Sequence, residues 1–110
     1  MNIFQRIAIL HHINKNKDNV EYTYRYDICN STGMHNVKIK NNDYVSIEMH
    51  RGYWGDTNFG ITYNLKGGEV YSLPPCQLSF FDRRFVERMY SKMFDYYVAK
   101  KGMPVNNKTR

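Results

Sequence analysis

"VKIKNNDYVSI", Val37 to Ile47, decides the fold. Val37 and Ile39 alternate with Lys38 and Lys40, and Val45 and Ile47 alternate with Tyr44 and Ser46. A period of two marks a strand with one apolar face. Two strands joined by a short loop must keep their apolar residues on the same face, because a slip of one residue sends every side chain to the other side. A turn at Asn41-Asn42 alone pairs Lys40 with Asp43 and sets Val45 opposite Lys38, on the wrong face. A loop of Asn41, Asn42 and Asp43 sets Ile39 opposite Val45 and Val37 opposite Ile47. The sequence therefore predicts an antiparallel hairpin closed by those three residues, with Asn or Asp left-handed.

Upstream, Val20, Tyr22, Tyr24, Tyr26 and Ile28 alternate with Glu21, Thr23, Arg25 and Asp27, which predicts another strand, and "NSTG" (Asn30 to Gly33) has turn chemistry. Before it, Ile3, Phe4, Ile7, Leu10 and Ile13 recur at helical spacing, with Asn2 as N-cap and the polar run from Asn14 to Asn19 as the end. Downstream, "RGYWGDTNFG" (Arg51 to Gly60) mixes glycines and aromatics in a way no regular element favours, and is expected to be a loop. Ile61, Tyr63 and Leu65 alternate again, "KGGE" predicts a hairpin at Gly67-Gly68, and Val70 to Leu73 returns until Pro74-Pro75 stops it.

"SFFD" reads as an N-cap Ser79 with Asp82 three residues on. A helix over residues 80–101 follows, with Phe81, Phe85, Met89, Met93 and Tyr96 along one face, Gly102 as C-cap and Pro104 beyond. The expected architecture is α+β: a short N-terminal helix, an antiparallel meander of about five strands, and a long C-terminal helix packed on one sheet face. Residues 1–103 are expected to form a single domain, with 104–110 as a loose basic tail.

The net charge is +6, and it is segregated. From Arg83 onward there are eight Lys or Arg against two acids, Glu87 and Asp95, while residues 1–82 hold eight of each sign. Such a balance favours an acidic partner. Aromatic content is 15%, and the Tyr, Asn and Lys excess fits AT-rich coding. Cys29 and Cys76 are far apart with no CxxC, so a disulfide is possible without a framework. No signal-peptide pattern and no membrane-length apolar run occurs, so a cytoplasmic protein that meets no membrane is expected.

Arg84, Arg88, Ser91 and Lys92 share one face of the predicted C-terminal helix, with Arg83 at its edge and Lys100 and Lys101 in the last turn. This is either a surface for phosphates or an acidic groove, or a solvated face complementing the helix dipole. In the loop, Tyr53, Trp54 and Phe59 are candidate binding anchors, or Trp54 folds back as a plug over the sheet end. The polar hairpin face carries Asn36, Lys38, Lys40, Tyr44, Ser46, Glu48 and His50. Glu48 and His50, two apart on a strand and flanked by Lys38 and Lys40, have the groups for acid–base cleavage of RNA, although such a face is ordinarily just wet. Tyr22, Tyr24 and Tyr26 could stack bases, but packing under the helices is the better expectation. His11 and His12 are adjacent, and His35 and His50 isolated, so neither a metal nor a cofactor is expected.

The leading expectation is a small non-enzymatic binding protein of the phage or mobile-element accessory type. It would engage nucleic acid or a nucleic-acid-handling protein in the host cytoplasm through the basic helix and aromatic loop. The alternative is an inhibitor or adaptor of a host defence or nuclease complex, anti-CRISPR-like, that binds a host protein and no nucleic acid. A toxin-like ribonuclease is the third. A homodimer is compatible with all three.

Overall fold

A computed structural model describes residues 1–40, 43–65 and 70–104. Helix α1 (Ile3–Lys15) and a 3-10 turn precede the strands β1 (Glu21–Asp27), β2 (Thr32–Lys40), β3 (Tyr44–Arg51), β4 (Thr57–Asn64) and β5 (Tyr71–Leu73). A second 3-10 turn (Pro75–Gln77) then leads into helix α2 (Phe80–Lys101). The strands form one antiparallel meander in the order β1-β2-β3-β4-β5.

The central hairpin has the register that its alternation dictates. Ile39 pairs with Val45 and Val37 with Ile47, and Lys40–Tyr44 closes the loop. All four apolar side chains are fully buried, each stabilising the fold by roughly 1.5–3 kcal/mol relative to exposure. Asn41 and Asn42, on which the left-handed loop conformation was expected together with Asp43, lie outside the described residues. The Gly67-Gly68 hairpin and the tail from Val105 onward also lie outside them.

Helix α2 covers the face carrying Val37, Ile47, Ile61 and Tyr63, and α1 adds Ile9 and Ile13 to the same core. Helix α2 contacts β1 to β4, and α1 runs parallel beside it. Arg6 meets Asp82 near the start of both helices, and Asn14 accepts from the Tyr96 hydroxyl further along. Asn2 and Gln5 form a reciprocal capping box that begins α1. Ser79 caps α2 by accepting from the Asp82 N–H, but the Asp82 carboxylate does not return the bond. It turns to Arg6 Nη2 at 3.0 Å and the Met1 ammonium at 3.3 Å. Gly102 ends α2 at φ 85°, which an L side chain adopts only with strain.

Four local expectations need correction. Helix α1 buries Ile9, His12 and Ile13, while Ile3, Phe4 and Ile7 are exposed, so its core face is rotated from the predicted stripe. It also runs through Lys15, into the polar run expected to end it. The first turn lies at residues 28–31, because the Asp27 carboxylate accepts from the N–H groups of Cys29 and Asn30 and from the Asn30 side chain. Gly33 is therefore inside β2. Phe81, expected on the buried face of α2, is 71% exposed, and Asp82, Val86 and Tyr90 join Phe85, Met89 and Met93 inside.

Candidate binding surface

Half of the stretch 51–60 is strand: Arg51 ends β3, and Thr57 to Gly60 begin β4. Arg51 pairs with Thr57, so only residues 52–56 turn. The Gly52 N–H donates to the Asp56 carbonyl at 2.9 Å and the Gly55 N–H to the Gly52 carbonyl at 3.0 Å. Gly55 sits at φ 86°. This tight turn holds Tyr53 and Trp54 out in solvent, ring edge to ring face at 5.0 Å, with Trp54 88% exposed. Trp54 is not a plug. Phe59, grouped with it as a candidate anchor, is a core residue instead, edge-on to Tyr90 at 5.8 Å and unable to offer contact area.

On α2, Arg84, Arg88, Lys100 and Lys101 are exposed and Lys92 half-exposed. A shallow groove along this face is lined by Leu10, Phe80, Arg84, Arg88, Met89 and Lys92, with Glu87 and Asp95 also on it. The cations are partly pre-positioned: the Arg84 guanidinium lies over the Phe80 ring at 5.9 Å and Lys92 Nζ over Tyr96 at 5.5 Å. Arg83 does something the sequence did not suggest. Its Nη2 donates to the Thr57 carbonyl at 2.9 Å and its guanidinium covers Phe59 at 5.9 Å. It thereby ties the first turn of α2 to the end of the Tyr53-Trp54 turn. The two separate candidates become neighbouring parts of one end of the molecule.

The opposite sheet face holds the carboxylate–imidazole pair. His50 Nε2 donates to Glu48 Oε1 at 3.1 Å. The expected lysines do not gather there. Along β2 the rows run Met34–His50, Asn36–Glu48, Lys38–Ser46 and Lys40–Tyr44. Lys38 is one row from Glu48, and Lys40 is three rows from His50, about 20 Å along the strand. The cation that lines the same shallow pocket as the pair is Arg25, opposite Met34 on the other side, and neither lysine lines it. Arg25 could have been found from the polar alternation of β1, but only with the β1–β2 register, which the turn at 28–31 sets.

Of the tyrosine stripe, Tyr22 packs under α2, while Tyr26 is 51% exposed. Tyr22 meets Phe94 and Tyr97 and its hydroxyl shares a hydrogen bond with His35 Nδ1 at 2.7 Å, while Tyr24 lies beside His35 at 4.7 Å. Burial pushes the Tyr22 hydroxyl up to about 12, with Tyr24 and Tyr97 adding to it, so it stays a donor. Burial, helped by Arg51, pushes His35 below the usual histidine value, so its ring stays neutral. A base cannot stack on Tyr22 without displacing α2. No group of His, Cys, Asp and Glu among the described residues is arranged to hold a metal, and Cys29 is exposed and free. No described helix is long and apolar enough to cross a membrane. No protein-family model, no curated protein and no solved structure matches the chain.

Proposed function

We propose that this is a non-enzymatic binding protein whose docking surface runs from the exposed face of α2 to the turn carrying Tyr53 and Trp54. Its partner is acidic: a nucleic acid, or a protein that handles one. The observation behind this reading is that the chain's whole charge excess lies from Arg83 onward, with Arg84, Arg88, Lys92, Lys100 and Lys101 at the surface of one helix. Arg83 joins that helix to two exposed aromatic rings. Cations beside stacking platforms suit single-stranded nucleic acid, and the mechanism is occlusion of a charged contact. The phage or mobile-element type rests on size and composition alone.

A second reading, an inhibitor or adaptor that binds a host protein and no nucleic acid, is favoured by one observation. Phe80 and Phe81 are exposed beside Arg84, and Ile3, Phe4 and Ile7 are exposed on α1. Apolar surface contributes nothing to holding phosphate, whereas it drives protein association.

Fluorescence anisotropy with labelled duplex DNA, single-stranded DNA and RNA at several salt concentrations separates the two. Under the first reading, affinity falls steeply with salt, by a slope of about 0.7–0.9 per phosphate neutralised. Charge reversal at Arg84 and Arg88 together abolishes binding, and Trp54→Ala weakens binding to single strands. No binding of any nucleic acid at low salt sinks the first reading and leaves the second.

A further inference from the structure

The two edges of the sheet are built differently. β5 is three residues long and is stopped by Pro74-Pro75, the usual devices for blunting an edge. β1 has none of them. It runs seven residues without Pro, Lys, Gly or bulge, in unbroken register with β2. Among the described residues, no hydrogen bond reaches its outer edge and no strand pairs there. Its Tyr and Thr residues favour strand pairing.

We propose that β1 is a self-pairing edge: a second copy of this chain adds its β1 antiparallel to the first, in a register centred on Thr23. The occupant and the register follow from the side chains. A two-fold axis normal to the sheet keeps the faces matched, so only registers centred on a residue preserve the alternation. Centred on Tyr24, the pairing opposes Glu21 to Asp27. Centred on Arg25, it opposes that arginine to its own copy. Centred on Thr23, it sets Glu21 opposite Arg25 of the copy on both sides of the axis, Thr23 opposite Thr23, and Tyr22 opposite Tyr24 on the helix face. Opposite charges, threonine pairs and aromatic pairs facing each other across strands all stabilise a sheet. Glu21, Thr23 and Arg25 are exposed, and among the described residues neither Glu21 nor Arg25 has an ion-pair partner in its own chain. The dimer is one continuous sheet with both α2 helices on the same side. This inference does not depend on the identity of the partner of α2.

Sedimentation equilibrium of the full chain, from micromolar to millimolar concentration, tests it. A concentration-dependent dimer is expected. Arg25→Glu puts like charges opposite each other twice and weakens the dimer about tenfold or more. The swap Glu21→Arg with Arg25→Glu restores it. A monomer across the whole range, or a dimer unmoved by Arg25→Glu, overturns the proposal. Cysteine cross-linking answers even where charge variants fold poorly. In a Cys29→Ser, Cys76→Ser background, Thr23→Cys is expected to oxidise to a covalent dimer much faster than Ser72→Cys on β5. Equal rates overturn the proposal.

Discussion

Asp82 is mostly buried yet ionised, and it does two jobs. Its backbone N–H is the one that the Ser79 hydroxyl caps, and its carboxylate ties α2 to α1 through Arg6 and the Met1 ammonium. Burial alone would raise its pKa. The hydrogen bonds and positive charges of Arg6 and the ammonium outweigh that and hold the carboxyl below its usual value. A group depressed in the folded state binds protons more readily when unfolded. Its contribution is therefore complete above the ordinary aspartate value of 3.8 and is lost as pH falls through the lower folded value. Asp82→Ala removes this and strands Arg6, which covers the Phe85 ring at 5.6 Å. Breaking such a partly buried pair is expected to cost about 2–4 kcal/mol near neutral pH. Urea titrations from neutrality to about pH 2 should show the gap between parent and variant closing at the acid end. A constant gap means that the loss is packing rather than charge.

At the scale of elements, what could be read in the sequence was whatever two constraints fixed together. The β2–β3 register followed because alternation and loop length had to agree at Ile39 and Val45. The bounds of α2 followed because Ser79 and Gly102 mark its ends independently of its middle. Where a single signal stood alone it misled. Gly60 was read as loop, but it pairs with Glu48 inside β4, and it is a glycine there because a Cβ would come within 2.9–3.0 Å of Pro75 and the Leu73 carbonyl. In α1, two faces are apolar. Ile3, Ile7 and Leu10 make one and Ile9 and Ile13 the other, and only packing against α2 and the sheet selects the second. The two phases have opposite mutational signatures. Ile9→Ala, at 0% exposure, should cost about 2–4 kcal/mol. Ile7→Lys, at a position 58% exposed, should change stability by less than about 0.5 kcal/mol. Chemical denaturation of both variants decides the phase, and a large loss in Ile7→Lys would reverse it.

At the scale of the molecule, the candidate surface was half legible. Charge segregation is a property of the linear sequence, so the basic helix could be found without a fold. That the aromatic turn belongs to the same end could not, because it depends on Arg83 reaching Thr57 across 26 residues of sequence. The consequence can be measured with the protein's own fluorescence, since Trp54 is the single tryptophan. An indole this exposed is already in water, so unfolding should move its emission very little, although the rest of the protein gains solvent. Docking is different. If the turn and α2 form one surface, a partner that covers Arg84 and Arg88 must also exclude water near Trp54. Emission should then shift to the blue and resist quenching by acrylamide, in proportion to occupancy. Charge reversal at Arg84 and Arg88 should abolish that shift without touching the emission of the free protein. A partner whose binding depends on Arg84 and Arg88 but leaves Trp54 as quenchable as before would split the surface in two, with α2 binding alone and the turn free for something else.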